Sequence, residues 1–189
     1  MDLQTDYFRA EDEAAVRKVM ASGTRPAAEA FESVRARGID PTVVLPRLVA
    51  ALREESDSAQ AQAQAQSPVQ TPDLAPAPTP APAPVKDGPD RSVWPTGLEP
   101  WHEEGPGAAV DFEDPWMTGP WVVELTDETR DALAGIQRKR LPRLTSQWAR
   151  TEEVKNVERI ELMKLIHQLG VLARRAKQDG QHLYCALTA

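Results

Sequence analysis

The sequence is short of the residues from which most catalytic and metal sites are built. It has one cysteine, Cys185, and three histidines, His102, His167 and His182, far apart along the chain. A lone cysteine forms no internal disulfide and no metal-ligand or redox pair, which fits a reducing compartment. Phosphate-cradling glycine loops are missing, as are H-E-x-x-H and G-x-S-x-G. No apolar run approaches the roughly 18 residues of a membrane-spanning helix. The opening "MDLQTDYFRAEDE" lacks the basic start and apolar stretch of a secretion signal. Uniform basic charge is absent too: 29 acids against 22 bases give a net charge of −7, which argues against a nucleic-acid partner. These absences lead to the expectation of a soluble, cytoplasmic chain with no cofactor, no metal and no membrane partner.

What is present is organised around one break in composition. Residues 56–90, "SDSAQAQAQAQSPVQTPDLAPAPTPAPAPVKDGPD", alternate Ala with Gln and then Ala with Pro. Proline removes backbone donors and favours polyproline II, and nothing in this stretch can form a packed core. The expectation is a disordered spacer inserted into a single α+β domain. Residues 1–55 and 91–189 supply the two parts of that domain, because 55 residues alone bury too little apolar surface to fold well.

Before the spacer, "DYFRA" (Asp6 to Ala10) reads as a short strand. "EDEAAVRKVMAS" follows with helical spacing and is stopped by Gly23. "RPAAEAFESVRARG" reads as a second helix, Pro26 near its start and Gly38 beyond its end. "DPTVVLPRLVAALREE" reads as a third, with Asp40 as its cap and Pro46 in its early turns.

After the spacer, "SVW" and "PWVVEL" read as short strands joined by an irregular loop. "TDETRDALAGIQ" begins a helix capped by Thr126. "RLPRLTSQWART" is a short helical segment around Trp148, disturbed by Pro142. The strongest signal is "VERIELMKLIHQLGVLARRAKQDG". There Leu162, Leu165, Ile166, Leu169, Leu172, Ala173 and Ala176 recur at three- and four-residue steps, and Gly180 ends the helix. In the closing "GQHLYCALTA", Leu183, Cys185 and Leu187 alternate with His182, Tyr184 and Ala186, the period of a strand. Cys185 is expected to face the core as an inert small hydrophobe, with His182 and Tyr184 on the other side.

The order of these pieces resembles the YfbM-like family of small bacterial proteins. It looks closest to an actinobacterial branch carrying "DYFRA", "GIDP", "VWP", "GPWVVEL" and a final "LYC". The resemblance covers Asp6 to about Leu52 and Ser92 to Ala189. It implies an α+β fold with both terminal strands in one small sheet packed against several helices. It implies no activity and no catalytic residues.

Charge and tryptophan single out one region. From Trp94 to Asp131 there are ten acids and one base; from Ala132 onward there are eleven bases and five acids. That asymmetry either pairs two parts of one fold or presents two faces to a partner, and internal pairing is the first reading. Trp94, Trp101, Trp116 and Trp121 all fall in the acidic region. Trp121 and Trp94 are expected in the core. Trp101 and Trp116 stand among Pro, Gly and acids, where a large rigid side chain either roofs the sheet or anchors a partner.

The expected function is a non-enzymatic protein-interaction module of the adaptor or immunity type. Trp101, Glu103, Glu104, Asp111, Asp114 and Trp116 would form a surface for another protein, a basic one by charge. The alternative is a hydrolase-type enzyme whose cleft gathers scattered residues such as His102, Asp111 and Asp114.

Overall fold

In a computed structural model, the residues described are 4–23, 27–37, 45–53, 91–96, 114–155 and 157–188. Five strands form one antiparallel sheet: β1 (Gln4–Ala10), β2 (Ser33–Arg37), β3 (Arg91–Trp94), β4 (Trp121–Glu124) and β5 (His182–Thr188), in the order β2-β1-β5-β4-β3. The first and last strands are neighbours at its centre, Tyr7 opposite Cys185 and Phe8 opposite Tyr184. The fold class is α+β, with both terminal strands in the sheet.

Helices cover both faces. The long helix here numbered α7 (Arg159–Gln178) packs Leu162, Leu165, Ile166, Leu169, Leu172, Ala173 and Ala176 into the larger core cluster, together with Tyr7, Ala36, Leu183 and Cys185 from the sheet. The same cluster takes in α5 (Asp127–Ala134), α6 (Leu141–Trp148) and the helical residues 45–53, here α3, through Leu133, Leu144, Trp148, Leu45, Leu48 and Leu52. On the opposite face Phe8, Ala10, Val93, Val122, Tyr184 and Ala186 pack against α1 (Glu13–Ser22) and α2 (Ala27–Ala30), through Val16 and Ala27. Strand residues alternate between the two clusters because successive side chains point to opposite faces.

Local chemistry accounts for most helix ends. The Asp12 carboxylate accepts from the Ala15 N–H at 2.7 Å and starts α1; Gly23, at φ +60°, closes it. The Thr126 hydroxyl accepts from the Thr129 N–H at 3.2 Å and starts α5. Gly180, at φ +66°, lets α7 turn into β5, with the Gln181 N–H returned to the Ala176 carbonyl at 2.8 Å.

Four expectations need correction. "RPAAEAFESVRARG" is not one helix. Only Ala27–Ala30 is helical, and Ser33–Arg37 is an edge strand on β1, with Asp6 opposite Arg35. The cross-strand pair from Arg35 Nε to Asp6 Oδ1, 2.8 Å, helps hold that register, with Asp6 itself buried. Sheet pairing overrides a helical propensity that is only a weak preference. Pro142 does not disturb its helix: it sits in the first turn of α6, where its missing N–H costs nothing. Tyr184 does face away from Cys185, but that side is a second core and Tyr184 is fully buried. Trp94 and Trp121, expected in the core, are only partly buried.

Candidate protein-interaction site

Of the six residues that sequence places at a partner surface, Trp101, Glu103, Glu104 and Asp111 lie outside the described residues, as does His102. Asp114 and Trp116 are described, and the structure brings them together in one braced turn. The short helix α4 (Pro115–Thr118) starts at Asp114, whose Oδ1 accepts from the Trp116 N–H at 2.8 Å. The Asp114 carbonyl accepts from the Met117 and Thr118 N–H groups at 2.8 and 3.1 Å. Pro115 occupies the first turn, where proline is pre-set for a helix.

Trp121, at the start of β4, ties this turn to the sheet. Its indole Nε1–H donates to the Trp116 carbonyl at 2.9 Å. Gly119, at φ +72°, lies under the same ring, so that a β-carbon there would come within 3.1 Å of the indole. Only glycine combines that backbone angle with that approach. Trp116 is half-buried beside this strap. Met117 points outward at 39% exposure, one of two large exposed hydrophobics among the described residues. Sequence reasoning missed Met117; the only signal near it is the Pro/Gly pattern of "DPWMTGP", which marks a turn without saying which side chain it aims outward.

A polar group at the far end of β5 was missed as well. His182 Nδ1 lies 3.2 Å from Glu124 Oε1 and 3.4 Å from Asp127 Oδ1. Glu124 stands opposite Tyr184 in the β4–β5 register, on the same face of the sheet. The Tyr184 hydroxyl is buried with no hydrogen-bond partner. Burial pushes its pKa far up, and the carboxylates of Glu124, Asp12 and Glu13 push the same way, against a smaller opposing effect of Arg91. No sequence spacing signals this group, because its members come from separate strands and a helix start.

A second network clamps the C-terminal end of α7. Arg9 binds Glu32 at 2.8 Å, Gln181 at 2.7 Å and Asp179, and Arg175 binds Glu32 from the other side. Burial alone would raise the Glu32 pKa, but hydrogen bonds from Arg9 and Arg175 outweigh it and hold the carboxyl below its ordinary range. Every member of this network is joined to another, which makes it a structural clamp between β1, β2 and α7.

Among the described residues no group of three or more His, Cys, Asp or Glu side chains is arranged to hold a metal ion. None of the described helices is long and apolar enough to cross a membrane. No family model, no curated protein and no solved structure matches this chain.

Proposed function

We propose that this chain is a cytoplasmic, non-enzymatic protein-interaction module of adaptor or immunity type. It engages another protein through the braced turn from Asp114 to Trp121 and the acidic stretch before it, with Trp101, Glu103, Glu104 and Asp111. The observation that carries the reading is Met117: an exposed apolar side chain on a turn fixed by the Asp114 cap, the Trp121 indole and Gly119. A turn held in one conformation loses little backbone entropy when the side chain it presents is bound, which helps small hot spots reach useful affinity. The net charge of −7 favours a basic partner and speeds its approach. The resemblance to the YfbM-like family is part of this proposal and adds no activity to it.

The test is site-specific photo-crosslinking in native cells. A photoreactive residue at position 117 should give a discrete protein adduct, and the same residue at exposed Lys18 on α1 should not. Gly119→Ala, which forces a β-carbon against the indole, should weaken the adduct. Identical adducts from both positions, or none from 117, would refute the reading.

The hydrolase alternative loses part of its original basis, because the Asp114 carboxylate is already engaged as a helix cap. One observation still favours it: His182 stands between two carboxylates, two residues from a phenol that burial keeps protonated. Hydrolysis of an activated ester that disappears in His182→Ala, with folding intact, would support it over the interaction reading.

A further inference from the structure

In a chain with seven more acids than bases, three consecutive bases have no ion-pair partner among the described residues. Arg138, Lys139 and Arg140 form a single 3-10 turn between α5 and α6. Buried residues pin both of its ends, Ile136 before it and Leu141 after it. Arg174 on α7 fixes the approach, donating to the Ala134 and Ile136 carbonyls at 3.3 and 2.9 Å. Arg138 and Lys139 are therefore held outward by a rigid connection.

Beside this turn runs a groove of about 280 Å³ lined by Arg138, Leu141, Pro142, Met163, Lys164 and His167. Its floor is aliphatic and its rim is basic or imidazole. Lys164 pairs with Glu161 at 2.7 Å, but both side chains are exposed, and such pairs exchange readily. Among the described residues no acid lines the groove. Helical spacing extends the floor: Ile160 precedes Met163 and Lys164 by one turn and His167 by two, on one face of α7. Ile160 is 50% exposed, the more exposed of the two large hydrophobics left uncovered.

We infer that this groove binds an acidic peptide segment of a partner protein, seating one large apolar side chain between Leu141, Pro142 and Met163 while its carboxylates meet Arg138, Lys139 and Lys164. The chemistry decides against nucleic acid. A polyphosphate gains nothing from an aliphatic floor, and no aromatic among the described residues lines the groove to stack a base. This surface lies apart from the Met117 turn and carries the opposite charge, so it would engage a second segment rather than the same one.

The test uses the full chain and a fluorescent peptide, Glu-Asp-Glu-Trp-Glu-Asp-Glu, followed by anisotropy at low and physiological salt. Saturable binding is expected. The double variant Arg138→Glu/Lys139→Glu should weaken it at least about tenfold, and Ile160→Ser by about threefold or more. Both changes are at exposed positions, and an unchanged melting temperature would show that the fold is intact. A peptide with Ser in place of Trp should bind about tenfold more weakly. The inference is overturned if binding does not saturate, if neither variant weakens it, or if the Ser peptide binds equally well. It is also overturned if a single-stranded oligothymidine of equal charge competes better than the peptide, which would make the surface a polyanion site.

Discussion

Removing the hydroxyl of Tyr184 should make the protein more stable. The ring is fully buried between β1 and β4 and stacks on Phe8, centroids 5.5 Å apart and planes 20° from parallel. Its hydroxyl has no hydrogen-bond partner, so folding takes it out of water with no return. A buried unsatisfied hydroxyl costs about 1–3 kcal/mol. Tyr184→Phe keeps the ring and the stack and removes that cost, so a gain of about 1–2 kcal/mol is expected. In a chain of this length that corresponds to a rise in melting temperature of about 3–6 °C. The pH dependence gives an independent check with a definite sign. An unfolded tyrosine ionises near pH 10 (about 10 by reference values), whereas burial and nearby carboxylates raise the folded value well above that. Below that pH both states hold the proton and stability does not respond. Above it the unfolded chain releases a proton that the folded chain keeps, so stability falls by about 1.4 kcal/mol per pH unit. Urea unfolding of the two proteins at pH 8 and at pH 11 measures both effects, and the advantage of the Phe variant should widen at the higher pH. A Phe variant less stable than the parent by more than about 1 kcal/mol, with no widening at pH 11, would show that the hydroxyl has a stabilising partner and that the reasoning is wrong.

Gly170→Val should destabilise strongly, by about 2–3 kcal/mol, because a β-carbon at Gly170 already lies 3.2 Å from Ile136 Cβ where α7 crosses the turn after α5; thermal melts would show it. Cys185 is fully buried, so native protein should resist thiol reagents until denaturant is added, and Cys185→Ala should cost about 1 kcal/mol as a small core cavity. Glu32 is held charged by Arg9 and Arg175, a depressed carboxyl whose contribution is present above the ordinary glutamate pKa and lost as pH falls through its lowered folded value. The difference in melting temperature between pH 6 and pH 3 should therefore be smaller in Glu32→Gln than in the parent.

Elements were legible in the sequence where one residue type carries the local physics. Thr126 announces a helix start because its side chain can reach the N–H three residues on, and Gly23 and Gly180 announce stops because glycine sits comfortably at positive φ. The stripe of α7 was legible because its apolar residues, from Leu162 to Ala176, repeat with the helical period over about four turns, and all of that stripe is buried. Ser33–Arg37 was not legible. Its state is decided by pairing with β1, a partner distant in sequence, and the helical pattern of "RPAAEAF" runs straight into it. The burial of Tyr184 was missed for a related reason. Period two says which residues share a face, but only the packing of α1 and α2 says that the second face is covered. Of the candidate site, Trp116 and Asp114 were readable as unusual residues in a Pro/Gly context. Asp114's role as a cap, and the aim of Met117, needed the Trp121 indole in place.

The charge asymmetry between the two halves of the C-terminal part turns out to do two jobs. Sequence favoured internal pairing, and part of the charge is used that way. Lys177 reaches Asp131 at 2.8 Å, and His182 lies against Glu124 and Asp127. Those contacts join α5 to α7 and β4 to β5, and they involve acids from Glu124 to Asp131 with partners near the end of α7. Arg138 and Lys139 follow those acids closely in the chain, yet the fold turns them outward. α5 ends at Ala134, Arg174 caps the carbonyls that follow, and the next turn points outward. Arg130, inside the acidic stretch, pairs with Asp127 and Asp131, but the next bases along the chain pair with no acid among the described residues. Instead Lys177, distant on α7, reaches Asp131, while Arg138 and Lys139 are held exposed, Arg138 on the rim of an aliphatic groove. That arrangement has no benefit to stability, since three adjacent like charges repel one another. The acidic partner segment proposed for the groove would give these charges a use that the fold does not.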